Sequence, residues 1–480
     1  MKTFAFRMLL VSALAVVGLS CSDDNSGQDS GFELPGEAPR VKLLDVSVDR
    51  NTINITIAPE DAVECAYLLV ANDTGTPSDE EILTSGVSVG ASAASEVVLA
   101  DLKYETPYAI AAAVKNEAGI TASTSLVLIT GKDPYASAGD PANTYIVPNP
   151  GGYSFQTKRV SGTPIEGIAK VDWIWATKVS ETDTQQRLIS DIAYADGKVT
   201  FNASGERGNA VLAAFNADGT VIWTWLIWCT DRPQTMVFSS GSRFQDRILG
   251  ATGATKEDGR KAWGTILYQW GRCVPIFGGY EDEYNSNGET FNEARKWTVM
   301  NPAYGFEWKA VSESTTIEGS FAAPTTFFAA RGTGLNGSIY SWLDHEDRTL
   351  WREEEKSDYD PCPAGYRLPE PDDWGDWNEK LVPASDLSGG TYTYNGNTAW
   401  FPVSGCGRAY DTGECIRGMK SQFMLWNGRV TMRNDIAPGR PEFDEYFPSR
   451  VIKGLEGSIS DVDAMANYSF AHATRCVEIK

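Results

Sequence analysis

Apolar and polar residues alternate in short runs from residue 41 to 132, the period of a strand with one buried face. Val46 and Val48, then Ile53, Ile55 and Ile57, recur at every second position, and the turn-rich "NDTGTPSD" separates such runs. The segments "NTYIVPNPGGYSF" and "AVLAAFNADGTVIWTWLIWCTD" continue the pattern further on, the second with Asp218-Gly219 as a hairpin turn between apolar runs. From 238 onward short strands alternate with Gly/Asn/Asp-rich loops. One helix is predicted there, with Pro371 in its first turn, Asp372 and Asp373 at its positive end, and Trp374, Trp377 and Leu381 on one face. The pattern predicts a mainly β chain: a sandwich over 41–132, a β-rich module over 143–237 and a third domain over 238–480. The Pro/Gly/Ser-rich "GKDPYASAGDPAN" separates the first two. A length of 480 residues suits about three domains at ~150 residues each.

In "LKYETPYAIAAAVKNEAGIT", the residues Leu102, Thr106, Tyr108, Ile110, Ala112, Asn116 and Gly119 resemble the end of a fibronectin type III domain. The resemblance implies an Ig/fibronectin III-like sandwich, with Tyr108 as the corner tyrosine that ties down the crossing loop. Ile57 stands where that family's early-strand tryptophan would be. The expected role is a spacer.

The amino terminus changes the setting. Lys2 and Arg7 precede an apolar run from Met8 to Leu19, which reads as a signal peptide over 1–20. That run falls short of the roughly 20 residues that span a bilayer. "VVGLSCSDDN" resembles a bacterial lipoprotein signal, which implies lipidation of Cys21. The polar, acidic residues that follow form a flexible tether over 21–40. Ser-Asp-Asp after the cysteine is similar to an acidic surface-export tag and implies a lipid-anchored, surface-exposed outer-membrane protein. The formal net charge of −23, with no Lys/Arg cluster, argues against nucleic acid as a partner.

Several strings mimic active sites. "GVSVG" places Ser88 in a nucleophile-elbow pattern, but within a β-sandwich and without the strand-to-helix turn that the chemistry needs. "GTGLNG" at 332–337 lacks the βαβ unit of a dinucleotide site. His345 and His472 are too few for a histidine-rich metal site, and read as solvated or hydrogen-bonded. "YEDEYNSNGETF" at 280–291 offers oxygens to calcium. Counting from Gly288 puts Ala294 at the ligating-glutamate position, so it is no EF-hand, and an irregular calcium loop stays open beside a solvated one.

Apart from Cys21 there are seven cysteines, and Cys65 reads as the unpaired one. The other six allow fifteen connectivities. The pairs favoured are Cys362 with Cys476, closing a domain, and Cys406 with Cys415, with free buried thiols as the competing reading. Closing a loop near 100 residues contributes about 4 kcal/mol in the chain-entropy model.

"QDRILGATGA", "GTILYQWGR", "YDPCPAGYRLPEPDDW" and "TRCVEI" occur in the order of the FISUMP, or major paralogous, domain family. The resemblance covers roughly 143–480 and implies a fimbrillin-like surface context. Arg367-Leu368-Pro369 with Trp374 is similar to the signature of formylglycine-generating-enzyme and C-type-lectin folds, which implies a C-type-lectin-like α+β domain over 238–480. No catalytic residue carries over. "EPD" at 370–372 is also similar to the calcium and sugar clamp of some lectins, but the same residues begin the predicted helix. The stretch therefore reads mainly as a staple. The expected function is adhesion or glycan binding at the cell surface, with Trp400 and Trp426 as contact candidates because both sit in or beside loop-like sequence. Two alternatives stand behind it: an accessory or tip subunit of a fimbria-like assembly, and a glycan hydrolase using two carboxylates.

Overall fold

The computed structural model describes residues 38–49, 52–71, 76–100, 102, 106–131, 136–264, 266–278, 295–331, 340–345, 347–351, 355–403, 406–408, 415–417, 422–433, 445–454, 460–466 and 468–480. The expected signal, Cys21 and most of the expected tether lie outside them. The chain divides into two compact units, Met1–Asp133 and Pro134–Lys480.

In the first unit, two antiparallel sheets enclose an aliphatic core. One orders Arg40–Asp49, Thr52–Glu60 and Ser95–Leu99; the other orders Val87–Ser88, Glu64–Ala71, Pro107–Lys115 and Thr121–Ile129. This three-plus-four arrangement is the expected Ig/fibronectin III-like sandwich. The period of two has its predicted effect, burying Ile53, Ile55 and Ile57 against Cys65, Ile110, Ala112 and Val114. Pro107–Lys115 is buried on both faces. Its other face presents Ala111 and Ala113, small enough to seat Ile82 of a short helix, Asp79–Ser85. Ser78 caps that helix by accepting from the Glu81 amide (3.2 Å), and three acidic residues occupy its first turn. Gly86 ends it where any Cβ would strike the Ile82 and Tyr67 carbonyls. Ser88 is exposed on a two-residue strand beside this helix.

The second unit is built on aromatic residues. One sheet orders Thr298–Met300, Lys170–Thr177, Gly208–Phe215, Val221–Cys229 and Thr144–Val147; another orders Ile189–Ala195, Lys198–Ala203, Gly151–Gln156 and Ala136–Ser137. Rings interlock between them: Tyr145 stacks on Phe155 at 4.2 Å, and Phe155 meets Trp225 at 5.2 Å. The predicted hairpin forms, with Gly219 at φ 78 and Asn216 Oδ1 accepting from the Asp218 and Thr220 amides.

The four motifs from 245–254, 264–272, 359–374 and 474–479 meet in one knot. Arg243–Gln245 and Tyr366–Arg367 both pair with Val477–Glu478, Ile266–Gln269 pairs with Ala471–His472, and Cys362 is disulfide-bonded to Cys476. Asp360 is buried at its centre, accepting from the Cys362 amide (2.7 Å), the Leu368 amide (3.0 Å) and Lys356 Nζ (2.7 Å). Asn143 Nδ2 donates to the Asp358 and Asp360 carbonyls, and Thr144 Oγ1 to that of Pro361. These bonds fasten the first strand of the 143–237 segment to the Cys362 loop. The boundary expected between 237 and 238 therefore does not separate two cores; one core runs from Tyr145 to Val477.

The expected helix at 371–381 is also corrected. It divides into a 3-10 turn, Pro371–Trp374, and a helical turn, Trp377–Lys380, parted by Gly375 at φ 53. A Cβ on Gly375 would collide with Ser239, whose hydroxyl instead donates to Asp376 (2.6 Å). Trp374, Trp377 and Leu381 are buried as the pattern predicted.

Candidate functional site

The residues singled out in the sequence do not converge on a site. Trp426 is fully buried, donating from Nε1 to the Tyr268 carbonyl and packing its ring 4.3 Å from that of His472, so it is a core residue and not a surface contact. Trp400 is half-buried, folded onto the Gly389 backbone with Lys256 Nζ 5.9 Å from its ring. His345 is exposed beside Asp344. Glu370, Pro371 and Asp372 begin the 3-10 turn, and Asp373 accepts from Ser242 Oγ, Arg367 Nη1 and the Glu370 amide. The 359–381 stretch, expected to act mainly as a staple, holds the fold. Cys406 and Cys415 lie on paired strands, opposite Arg417 and Arg408 respectively, with their side chains outside the described residues. The 280–291 and 332–337 strings also lie outside them. Cys65, Cys229 and Cys273 are buried free thiols, and burial pushes the latter two up to about 12.

A cleft of about 440 Å³ opens instead at the edge of the second unit's sandwich. Its walls are the 170–173 end of one sheet and the 189–192 end of the other, with Tyr304 set against the first. Both walls are bulged, one between Trp173 and Trp175 and the other between Ser190 and Ala193. Bulges re-aim side chains near binding sites, and here Trp173 is left half-buried in the cleft while Trp175 is fully buried. Among the described residues Thr298–Met300 pairs with only the 175–177 half of its neighbour, which leaves the 170–174 half to the cleft. Asn301 closes part of the rest, donating from Nδ2 to the Trp173 carbonyl (2.8 Å).

The polar groups of this cleft are held in place. Asp172 Oδ1 accepts from the Trp173 amide (2.8 Å), and Oδ2 from the Tyr304 hydroxyl (2.5 Å). Burial, reinforced by that bond to a carboxylate, holds Tyr304 above the ordinary phenol range, so it stays a neutral donor. Its ring stacks on Phe215 at 4.6 Å, with Lys170 Nζ 4.7 Å away. Asp191 sits at φ 50, a left-handed conformation that aspartate tolerates better than most residues. Asn202 Nδ2 (2.9 Å) and Ser190 Oγ (3.0 Å) both donate to its Oδ2 and lower its pKa, so it is ionised at neutral pH. Gln186 accepts from the Leu188 and Ile189 amides and shapes the adjoining turn.

A second cleft of about 500 Å³ is lined by neighbouring parts of the same segments: Lys178, Asp183 and Thr184 on one side, and Arg295, Met300, Phe306, Glu307 and Trp308 on the other. Trp308 is buried against Trp175 and donates from Nε1 to Thr298 Oγ1 (2.9 Å). The Ser180 and Val179 amides hold Asp183 below the usual carboxylate range, with Arg187 adding to this.

Sequence reading missed Trp173, Tyr304 and Asp191. Trp173 and Trp175 carry the same local pattern as the other core tryptophans, and the bulge together with the partial cover by Thr298–Met300 separates their environments. Asp191 in "ISDIAYADG" had a faint signal, a polar residue breaking an otherwise alternating strand.

No family model matches the chain, and no curated protein matches it significantly. Among solved structures it is similar to the FN1–FN3 domains of chicken CNTN1, at 13% identity over 43% of this chain and 72% of that one, with TM-score 0.16. Native alpha-2-macroglobulin from Escherichia coli, spanning domains MG0-NIE-MG1, matches at 12% identity over 46% and 81%, with TM-score 0.17. Bacteroides ovatus SGBP-B of a mixed-linkage glucan utilization locus, in complex with a mixed-linkage heptasaccharide, matches at 13% identity over 56% and 62%, with TM-score 0.13. Likenesses this loose carry no argument about the cleft, which stands on its own geometry.

Proposed function

We propose that the protein is a surface-displayed binding protein, anchored through Cys21, that holds a glycan in the 170–191 cleft. One observation carries the reading: a half-buried indole, Trp173, shares the cleft with two carboxylates, a lysine and a serine hydroxyl. An indole face packs against the apolar face of a sugar ring and excludes water from it. Carboxylate oxygens accept from hydroxyls, and an ionised carboxylate is acceptor-only, which suits the donor-rich edge of a pyranose. Ligand pockets of this kind combine apolar walls with a few placed polar groups. The fibronectin-like unit acts as the spacer in this reading. The FISUMP resemblance, carried by motifs that meet in one knot, supports the same surface context.

The test is glycan-array binding of residues 22–480, with calcium and with chelator, followed by calorimetry on the strongest hit. Trp173→Ala is expected to weaken that hit at least tenfold, while Trp400→Ala stays within twofold of wild type. Wild-type binding by the Trp173 variant would move the site elsewhere. Capture of a surface protein with a silent array would favour the fimbria-like alternative.

A further inference from the structure

We infer that the two clefts are the two ends of one groove, and that its ligand is an extended glycan chain of several sugar units and not a single terminal sugar. This rests on the glycan reading and deepens it. The clefts share three chain segments: strand 170–177 with Lys178, the 183–191 connection and strand, and the 298–308 stretch. Along 183–191, Asp183 and Thr184 line one cleft and Gln186 to Asp191 the other; along 298–308, Met300 and Phe306 line one and Tyr304 the other. The two volumes therefore lie on either side of the Thr298–Asn301 stretch, which covers the strand edge between them, so a chain that reaches both passes over that stretch.

Their separation follows from the strand between them. At about 3.3 Å per step, and with the bulge between Trp173 and Trp175 taking up one of the six, Asp172 and Lys178 stand about 17 Å apart. A lone sugar reaches only one end of that distance, whereas a chain reaches both. Each volume, about 440 and about 500 Å³, lies within the roughly 300–1,000 Å³ of a complete ligand pocket. The two ends also differ in chemistry. The first offers an indole and fixed carboxylates, and the second offers the half-buried ring of Phe306 with Lys178 and Arg295. Two linked contacts reinforce each other through effective concentration when one chain spans both.

The experiment is a ladder of oligosaccharides, two to eight units long, cut from the polysaccharide with the strongest array signal and titrated into the full mature chain. Affinity is expected to rise at least tenfold between two and six units and then level off. Trp173→Ala should weaken every length. Lys178→Ala, at a partly exposed position, and Phe306→Ala should weaken only the long members, by threefold or more, and bring their affinity toward that of the short ones. A flat ladder, or long members indifferent to both second-cleft variants, overturns the groove while leaving the single-cleft reading intact. A silent array sinks the glycan reading and the groove with it. Near-UV circular dichroism of each variant separates lost binding from lost fold.

Discussion

The two units solve the same packing problem with different materials. The first fills its sandwich with isoleucine, valine and alanine, and it contains no tryptophan at all. The second packs tryptophan upon tryptophan, places charged groups such as Asp360 and Arg272 in its interior, and closes on a disulfide. An aliphatic sandwich is nearly self-specifying, because β-branched residues on one face of a strand have one way in. An aromatic core also carries polar edges inward, and here only part of them is satisfied: Trp175, Trp225, Trp270 and Trp377 bury their Nε1 without a partner among the described residues. Trp223, Trp228, Trp374 and Trp426 each donate from Nε1 to a partner supplied by a distant segment. Arg272 shows how such a group is held: burial lowers its pKa to about 9, and its guanidinium donates to Gln269 Oε1 and to the Thr326 and Ser320 carbonyls. The difference teaches that the second unit depends on long-range closure and the first on local pattern.

The strongest way to break this contrast is to open the closure. Reducing Cys362–Cys476, or replacing both residues by alanine, releases a link across 114 residues. The chain-entropy model puts its contribution at about 4–5 kcal/mol. Differential scanning calorimetry with and without reductant should show the larger unit's transition fall while the sandwich's transition stays in place. Equal shifts in both would erase the contrast. Next comes Trp374→Ala, which empties a fully buried site and removes the 2.8 Å donor to Asn427 Oδ1. A loss of about 3–5 kcal/mol is expected in chemical denaturation, confined to the second unit.

In the first unit the effects should be smaller and local. Ser78→Ala removes the hydroxyl that accepts from the Glu81 amide, costing about 1 kcal/mol, and Ser78→Asp should restore most of it. Amide exchange at Ile82 to Gly86 would report the loss, with the strand amides of Ile53 to Ile57 unchanged.

The smallest effect concerns pH. Asp191 and Asp183 have folded pKa values below the unfolded carboxylate value of about 4. Groups shifted in this direction stabilise the fold above the unfolded pKa and lose that contribution as pH falls through the folded pKa. Melting temperature measured from pH 6 to 2.5 should therefore decline less steeply in Asp191→Asn than in wild type. A steeper decline would mean that Asp191 is not held ionised by Asn202 and Ser190.

What the sequence determined by itself is whatever depends on neighbours in the chain. The alternation of Ile53, Ile55 and Ile57 specifies a half-buried strand, because a period of two puts all three on one face. Asn216 to Thr220 specifies its hairpin, because the asparagine side chain reaches amides two and four residues ahead. The helix at Asp79–Ser85 has its own local signal, Ser78 followed by three acids, masked by the turn-rich residues before it. Pairing Cys362 with Cys476 could be preferred from sequence, but its alternatives could be set aside only by the fold, since fifteen connectivities are equal until the chain closes. Only the tertiary structure placed Trp173 in a cleft and Trp426 in the core. Each lies among strand residues, and exposure depends on which other strands cover a ring and where a bulge turns it. The cleft itself joins residues 170–191 to residue 304, and no local pattern contains both sides of it.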